Sequence, residues 1–259
     1  MERWRPEALV DTFTGGASAL KGRALAQCAL RAEAGHVVAI SSMDVYRYCV
    51  DAGMGDGSGA TELPRDPLPL GEDAMLRDGP YPGARPTDDG ALHDNVAMEQ
   101  VLRESNGVAR VTALRPGAIY GAGADSRERV LVEAIREGET RLPLPDGGVQ
   151  LFHRVAVERI ARAVAAALER APEGFWACNV ADPVDWTYAG LAGEVARLLG
   201  WEFEPERVGF DEAEHPWQTV HPILCSDRRL REVLGVTEPD PREALAECVA
   251  WLWDNEPQR

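Results

Sequence analysis

Short apolar runs that alternate with helical stretches constrain this chain more than any single motif does. Residues 7–13 (EALVDTF) and 36–41 (HVVAIS) read as strands, and residues 17–34 between them have the alanine, leucine and arginine content of a helix. The alternation resumes with a strand at 110–114, a helix at 126–137, a strand at 149–155 and an amphipathic helix over Val157–Arg170. A strand at 175–180 follows, then a helix over Tyr188–Leu199, with Thr187 as its cap and Gly200 as its stop. Residues 201–210 alternate as a strand does, Ser226 caps a helix ended by Gly235, and Pro241 opens a last helix through Trp253. Strands interleaved with helices predict an α/β fold, a mostly parallel sheet covered on both faces, whose ligands sit at the carboxyl ends of its strands.

One stretch breaks the rhythm. Residues 50–90 are rich in Gly, Pro and Asp and read as a long surface loop, after which Asp88 or Asp89 caps a helix to Glu104 with Val96, Met98, Val101 and Leu102 on its apolar side.

Composition excludes several classes of function. The 259 residues are 45% hydrophobic, enough for a substantial core, and the net charge of −16 leaves no basic run for neutralising phosphates along a nucleic acid. Nucleic acid and anionic membranes are excluded as partners, and a small molecule is expected. No segment has the apolar length of a secretory signal or a membrane span, so a cytoplasmic location is expected. Cys28, Cys49, Cys178, Cys225 and Cys248 are scattered singly, and His36, His153, His215 and His221 show no ligand spacing, so no metal is expected.

Six pieces then carry a resemblance. ISSMDVY (40–46), PLPLGEDAMLRDGPYPG (67–83), LRPGAIYGAG (114–123), NVADPVDWTYAGLAGEVARLLG (179–200), HPILCSDRRLREVLG (221–235) and ALAECVAWL (244–252) together resemble the NAD-dependent epimerase/dehydratase family, the extended short-chain dehydrogenase/reductases. The resemblance implies a truncated Rossmann-like parallel sheet over 1–182, with the 50–90 loop as an insertion. It also implies a smaller carboxyl-terminal substrate lobe over 183–259, to which part of 125–150 contributes. Family members open with a Gly-rich GxxGxxG turn before the segment matched by EALVDTF, a further stretch of about 60 residues. On this reading the EALVDTF strand becomes an uncovered edge, and either a homodimer across it or poor solubility is expected.

The resemblance also implies an NAD or NADP cofactor, a nucleotide-sugar or similar hydroxylated substrate, and a proton-transfer set of a hydroxyl, a tyrosine and a lysine. Ser42 matches the hydroxyl position, where it either polarises substrate or simply satisfies backbone at a strand end. The tyrosine and lysine positions hold Ala91 and Asn95, and the chain's only lysine, Lys21, lies far upstream. Neither replacement titrates near neutrality. Some relatives carry their tyrosine two residues before the lysine, at the position of His93, and an imidazole exchanges protons at neutral pH. On a regular helix His93 and Asn95 point about 200° apart, so they share a pocket only if the helix starts after His93. Tyr81 and Arg85 have a YxxxR spacing, but Pro82 and Gly83 between them argue for loop. Asp44 is a candidate base if buried, or a turn residue. The resemblance places Asn95, Pro116 and Gly117 along the cofactor and Tyr46 on the substrate side. It gives Arg154 either a grip on a substrate phosphate or carboxylate, or an ion pair with an acidic residue.

Overall fold

The computed structural model describes residues 5–12, 16–54, 65–80, 82–87, 90–123, 126–210, 212, 219 and 221–255. In chain order these form β1 (Ala8–Asp11), α1 (Ala19–Ala32), β2 (His36–Ile40), a 3-10 turn (Met43–Val45), α2 (Arg47–Asp51), α3 (Asn95–Glu104), β3 (Arg110–Pro116) and β4 (Ala118–Tyr120). Then come α4 (Arg129–Arg136), β5 (Arg141–Pro145), β6 (Arg154–Ala156), α5 (Val157–Arg170), β7 (Gly174–Val180), α6 (Tyr188–Leu199), β8 (Glu204–Val208), α7 (Arg228–Glu232) and α8 (Pro241–Asp254).

The main sheet has the order β1-β2-β3-β7, all parallel, with Ile40 opposite Leu114 and Pro116 opposite Val180. The alternating direction of strand side chains explains its two covered faces. Val37 and Ala39 of β2 pack with Ala26, Ala29, Met98 and Leu102 of α1 and α3, whereas Val38 and Ile40 pack with Ile160 and Ala163 of α5. The α1 helix can approach α3 because Gly22 lacks a side chain; a Cβ there would lie 2.9 Å from the Met98 carbonyl. Among the described residues β1 pairs only with β2, and its Val10 is 40% exposed.

A third cluster, which includes Leu142, Leu144, Leu191, Val195 and Leu252, lies under two small parallel pairs, β4 with β6 and β5 with β8. Residues 68–77 run as an ordered strap from this cluster to the carboxyl end of β2. Leu70 exchanges backbone hydrogen bonds with Leu224 and Ser226, and farther along the Arg77 amide donates to the Val45 carbonyl at 2.9 Å.

Several boundaries differ from those read off the sequence. The strand expected at 149–155 is only the β6 triplet, with isolated bridges at Leu151 and Phe152, since its pairing partner β4 is three residues long. The helix before Gly235 is short, and Ser226 accepts from the Arg228 amide at 3.3 Å one position before the cap, Asp227. The cap of α3 is Asp94, which accepts from the Val96 and Ala97 amides. Tyr81, Asp88, Asp89 and His215 lie outside the described residues. No helix among the described residues is long and apolar enough to cross a membrane, and no group of three or more His, Cys, Asp or Glu side chains among them is placed to hold a metal ion.

Candidate functional site

Where β2 ends, the chain makes the 3-10 turn rather than entering a helix directly. Ser42 caps that turn: its hydroxyl accepts from the Asp44 amide at 3.1 Å, and the side chain remains half-buried. The turn carries Asp44 toward the start of α3. Because α3 begins at Asn95, after His93, the two side chains escape the opposite facing of a regular helix and meet: Asn95 Nδ2 lies 3.0 Å from His93 Nε2.

Asp44 completes the cluster. Asn95 Nδ2 donates to both its oxygens at 3.1 and 3.0 Å, and His93 Nε2 lies 3.4 Å from Oδ2. Arg77, from the strap, approaches Asp44 Oδ1 at 3.3 Å. Burial alone would raise the Asp44 pKa. The hydrogen bond from His93, the charge of Arg77 and the Asn95 amide together outweigh it and hold the carboxyl below its ordinary value. His93 Nε2 therefore sits between a donor, Asn95, and a fixed anion. It can accept from the amide when neutral and donate to the carboxylate when protonated, without the ring moving. A carboxylate and an amide that engage Nε2 in this way fix the orientation of the ring, and proton exchange with a bound molecule falls to the other ring nitrogen.

The other expected site residues lie elsewhere or are otherwise engaged. Tyr46 is a correction: it is fully buried, its hydroxyl donates to Asn179 Oδ1 at 2.5 Å and accepts from Arg115 Nη1 at 3.0 Å, and burial pushes its pKa far up. A phenol so enclosed holds the core together and has no face for substrate. Of the two readings of Arg154, the structure has the ion pair: the side chain is 1% exposed, Nη1 pairs with Glu128, and the guanidinium lies over the rings of Tyr120 and Trp186 at 4.6 and 5.2 Å. Its Nε and Nη2 are buried without a hydrogen-bond partner among the described residues.

Pro116 ends β3, and the Gly117 amide donates to the Val180 carbonyl at 3.1 Å. A Cβ at Gly117 would lie 2.6 Å from the His153 carbonyl. Glycine is needed here so that the chain entering β6 can pass, and Gly117→Ala is expected to destabilise the fold by about 1–3 kcal/mol, measured by urea unfolding; an unchanged midpoint would remove that role.

Sequence reasoning did not anticipate Arg77 or Asp94. Arg77 lies in a loop without periodicity, where nothing local marks it. Asp94, an acidic residue directly before an apolar run, did carry the signature of a cap.

No family model and no curated protein matches this chain. Solved structures do. The chain is similar to MoeE5 in complex with UDP-glucuronic acid and NAD, at 20% identity and a TM-score of 0.67 over 95% of this chain and 78% of that one. It is similar to UDP-glucose 4-epimerase from Thermotoga maritima with UDP-glucose, at 15% identity and a TM-score of 0.69 over 96% and 78%. A third is RMD from Pseudomonas aeruginosa complexed with NADPH, at 16% identity and 0.63 over 97% and 82%. These likenesses establish the fold, a Rossmann-like parallel sheet.

A nicotinamide cofactor, as the first and third of those structures hold, meets poor provision at the three positions expected to line it. Asn95 has spent its amide hydrogens on Asp44 and His93, Gly117 abuts the His153 carbonyl, and none of the three is a cation. None of the three therefore offers a charge or a free amide hydrogen to a nicotinamide riboside.

Proposed function

We propose that this protein is of the epimerase/dehydratase type and binds a nucleotide sugar or a similar hydroxylated small molecule at the carboxyl end of its parallel sheet. In this reading His93, oriented by Asp44 and Asn95, exchanges the proton that a tyrosine and lysine pair exchanges in the family the sequence resembles. The observation that carries it is the convergence of His93 and Asn95 on one buried carboxylate beside the end of β2. Ligands of open parallel sheets collect at such strand ends. The ligand class is drawn from the neighbouring structures, in complex with UDP-glucose, UDP-glucuronic acid, NAD or NADPH.

A second reading is favoured by one observation. With Asn95 committed to Asp44 and His93, the lysine's position offers no charge to a cofactor ribose, as expected of a non-redox relative that binds a ligand or a subunit.

Fluorescence titration with NADH and NADPH, beside calorimetric titration with UDP-glucose, separates the two. Saturable cofactor binding below millimolar concentration supports NAD(P)-dependent epimerase, dehydratase or reductase chemistry. UDP-glucose binding without cofactor binding supports the non-redox reading, and binding of neither removes the ligand class.

A further inference from the structure

Asp44 and His93 are brought together by elements that no regular hydrogen-bonding pattern joins. Asp44 lies in a single 3-10 turn after β2, and His93 lies just outside α3, where its amide donates to the Arg85 carbonyl at 2.9 Å. Their separation is therefore set by side chains.

Beside Asn95, a second side chain spans both elements. Arg77 is 4% exposed and reaches from the strap to each. Its Nε donates to the Asp44 carbonyl oxygen at 2.7 Å, its Nη2 approaches Asp44 Oδ1 at 3.3 Å, and its Nη1 donates to Asp94 Oδ1 at 2.9 Å. The last oxygen also caps α3 by accepting from the Val96 and Ala97 amides. A planar guanidinium has enough donors in fixed directions to hold a carbonyl and two carboxylates at once, which an ammonium on a flexible stem does not. Arg77 thus locks the 3-10 turn to the first turn of α3, and shares its charge between the two acids.

We infer that Arg77 is the positioning residue of the His93 site: it sets the geometry of the Asp44–His93 pair and limits how strongly the Asp44 charge acts on the imidazole. This rests on the reading of His93 as the proton-exchanging group, although its test does not depend on turnover. The charged groups around the imidazole are Asp44 on the 3-10 turn, Asp94 at the head of α3 and Arg77 on the strap. Taking away the cation leaves Asp44 unshared, so protonated His93 gains. Taking away the Asp94 charge gives Asp44 a larger share of Arg77, so protonated His93 loses.

Histidine imidazole titration by NMR on the full chain tests this, with His93→Gln used to assign the resonance. Arg77→Gln is expected to raise the His93 midpoint by roughly half a pH unit or more, and Arg77→Lys, which keeps the charge without the planar fork, to raise it less. Asp94→Asn keeps a good cap and is expected to move the midpoint down. The His36 resonance, from a ring bonded to Thr112 across β2 and β3 at 2.9 Å, reports that the sheet is intact. Should Arg77→Gln fail to fold, Arg77→Lys still decides. A His93 midpoint that stays at the wild-type value in the folded variants would overturn the inference, whereas shifted midpoints in a protein that binds no sugar nucleotide would leave the inference standing and remove the proposed function alone.

Discussion

Truncating Glu99 to alanine is expected to lower folding stability by about 3–5 kcal/mol, because it strands a buried arginine without its counter-ion. Glu99 on α3 and Arg115 on β3 have side chains 2% and 1% exposed, and they meet through two parallel bonds, Nε to Oε1 at 3.0 Å and Nη2 to Oε2 at 2.6 Å. The hydroxyl of Ser41, at the end of β2, donates to the same Oε1 at 2.6 Å. Three elements therefore converge on one carboxylate, directly beneath the turn that carries Asp44. Removing both charges in Glu99→Leu with Arg115→Met is expected to cost much less than either truncation alone, since no buried ion is left unpaired. Urea unfolding of Glu99→Ala, Arg115→Ala and the double variant checks this. A Glu99→Ala cost under about 1 kcal/mol, the worth of an exposed pair, would mean that the pair is not closed off from water.

The second large effect is a dependence on pH, centred on Asp185. Its Oδ1 accepts from the Arg154 amide at 3.1 Å, and its Oδ2 lies 3.2 Å from His153 Nε2. The His153 ring receives the Cys225 amide at Nδ1, so its proton is on Nε2, facing Asp185 and the Asp182 carbonyl. Burial nevertheless dominates over these contacts and raises the Asp185 pKa to about 6. A folded-state pKa above the unfolded value means that the folded protein binds more protons, so the stabilisation is complete below about pH 4 and is lost as pH rises through 6. From pH 4 to pH 7 the stability of Asp185→Asn, relative to wild type, is expected to improve by about 2–3 kcal/mol. Using the change with pH removes any constant cost of the amide's altered hydrogen bonds. Thermal or urea unfolding across that range measures it, and parallel profiles for the two proteins would show that Asp185 titrates at its ordinary value.

Much of the sheet was legible because its information is local. The apolar runs at 36–41 and 110–114 are buried on both faces, as central parallel strands are, and they pair in register. The cap Thr187, the opening Pro241 and the stop at Gly200 act within a few residues of themselves, and the structure has all three. Around the site it was the resemblance that pointed to His93 and Asn95, and the serine motif that pointed to Asp44; the structure brings the three side chains together. The resemblance misassigned Tyr46, whose hydroxyl partner Asn179 is 133 positions away. A tyrosine beside a strand end reads the same from the sequence whether it faces a cleft or the core.

What the chain determined by itself is the alternation of strands and helices, and with it a parallel sheet whose carboxyl ends gather polar side chains. Propensity, capping and burial of each apolar face act over a few residues, so they are written in the order of the amino acids. Only the tertiary structure decided which polar groups meet. Arg77 joins Asp44 to Asp94 and Glu99 closes on Arg115, and these partners are chosen by the low dielectric of a shared interior, where a charge brought in by one element must be met by whichever element packs beside it.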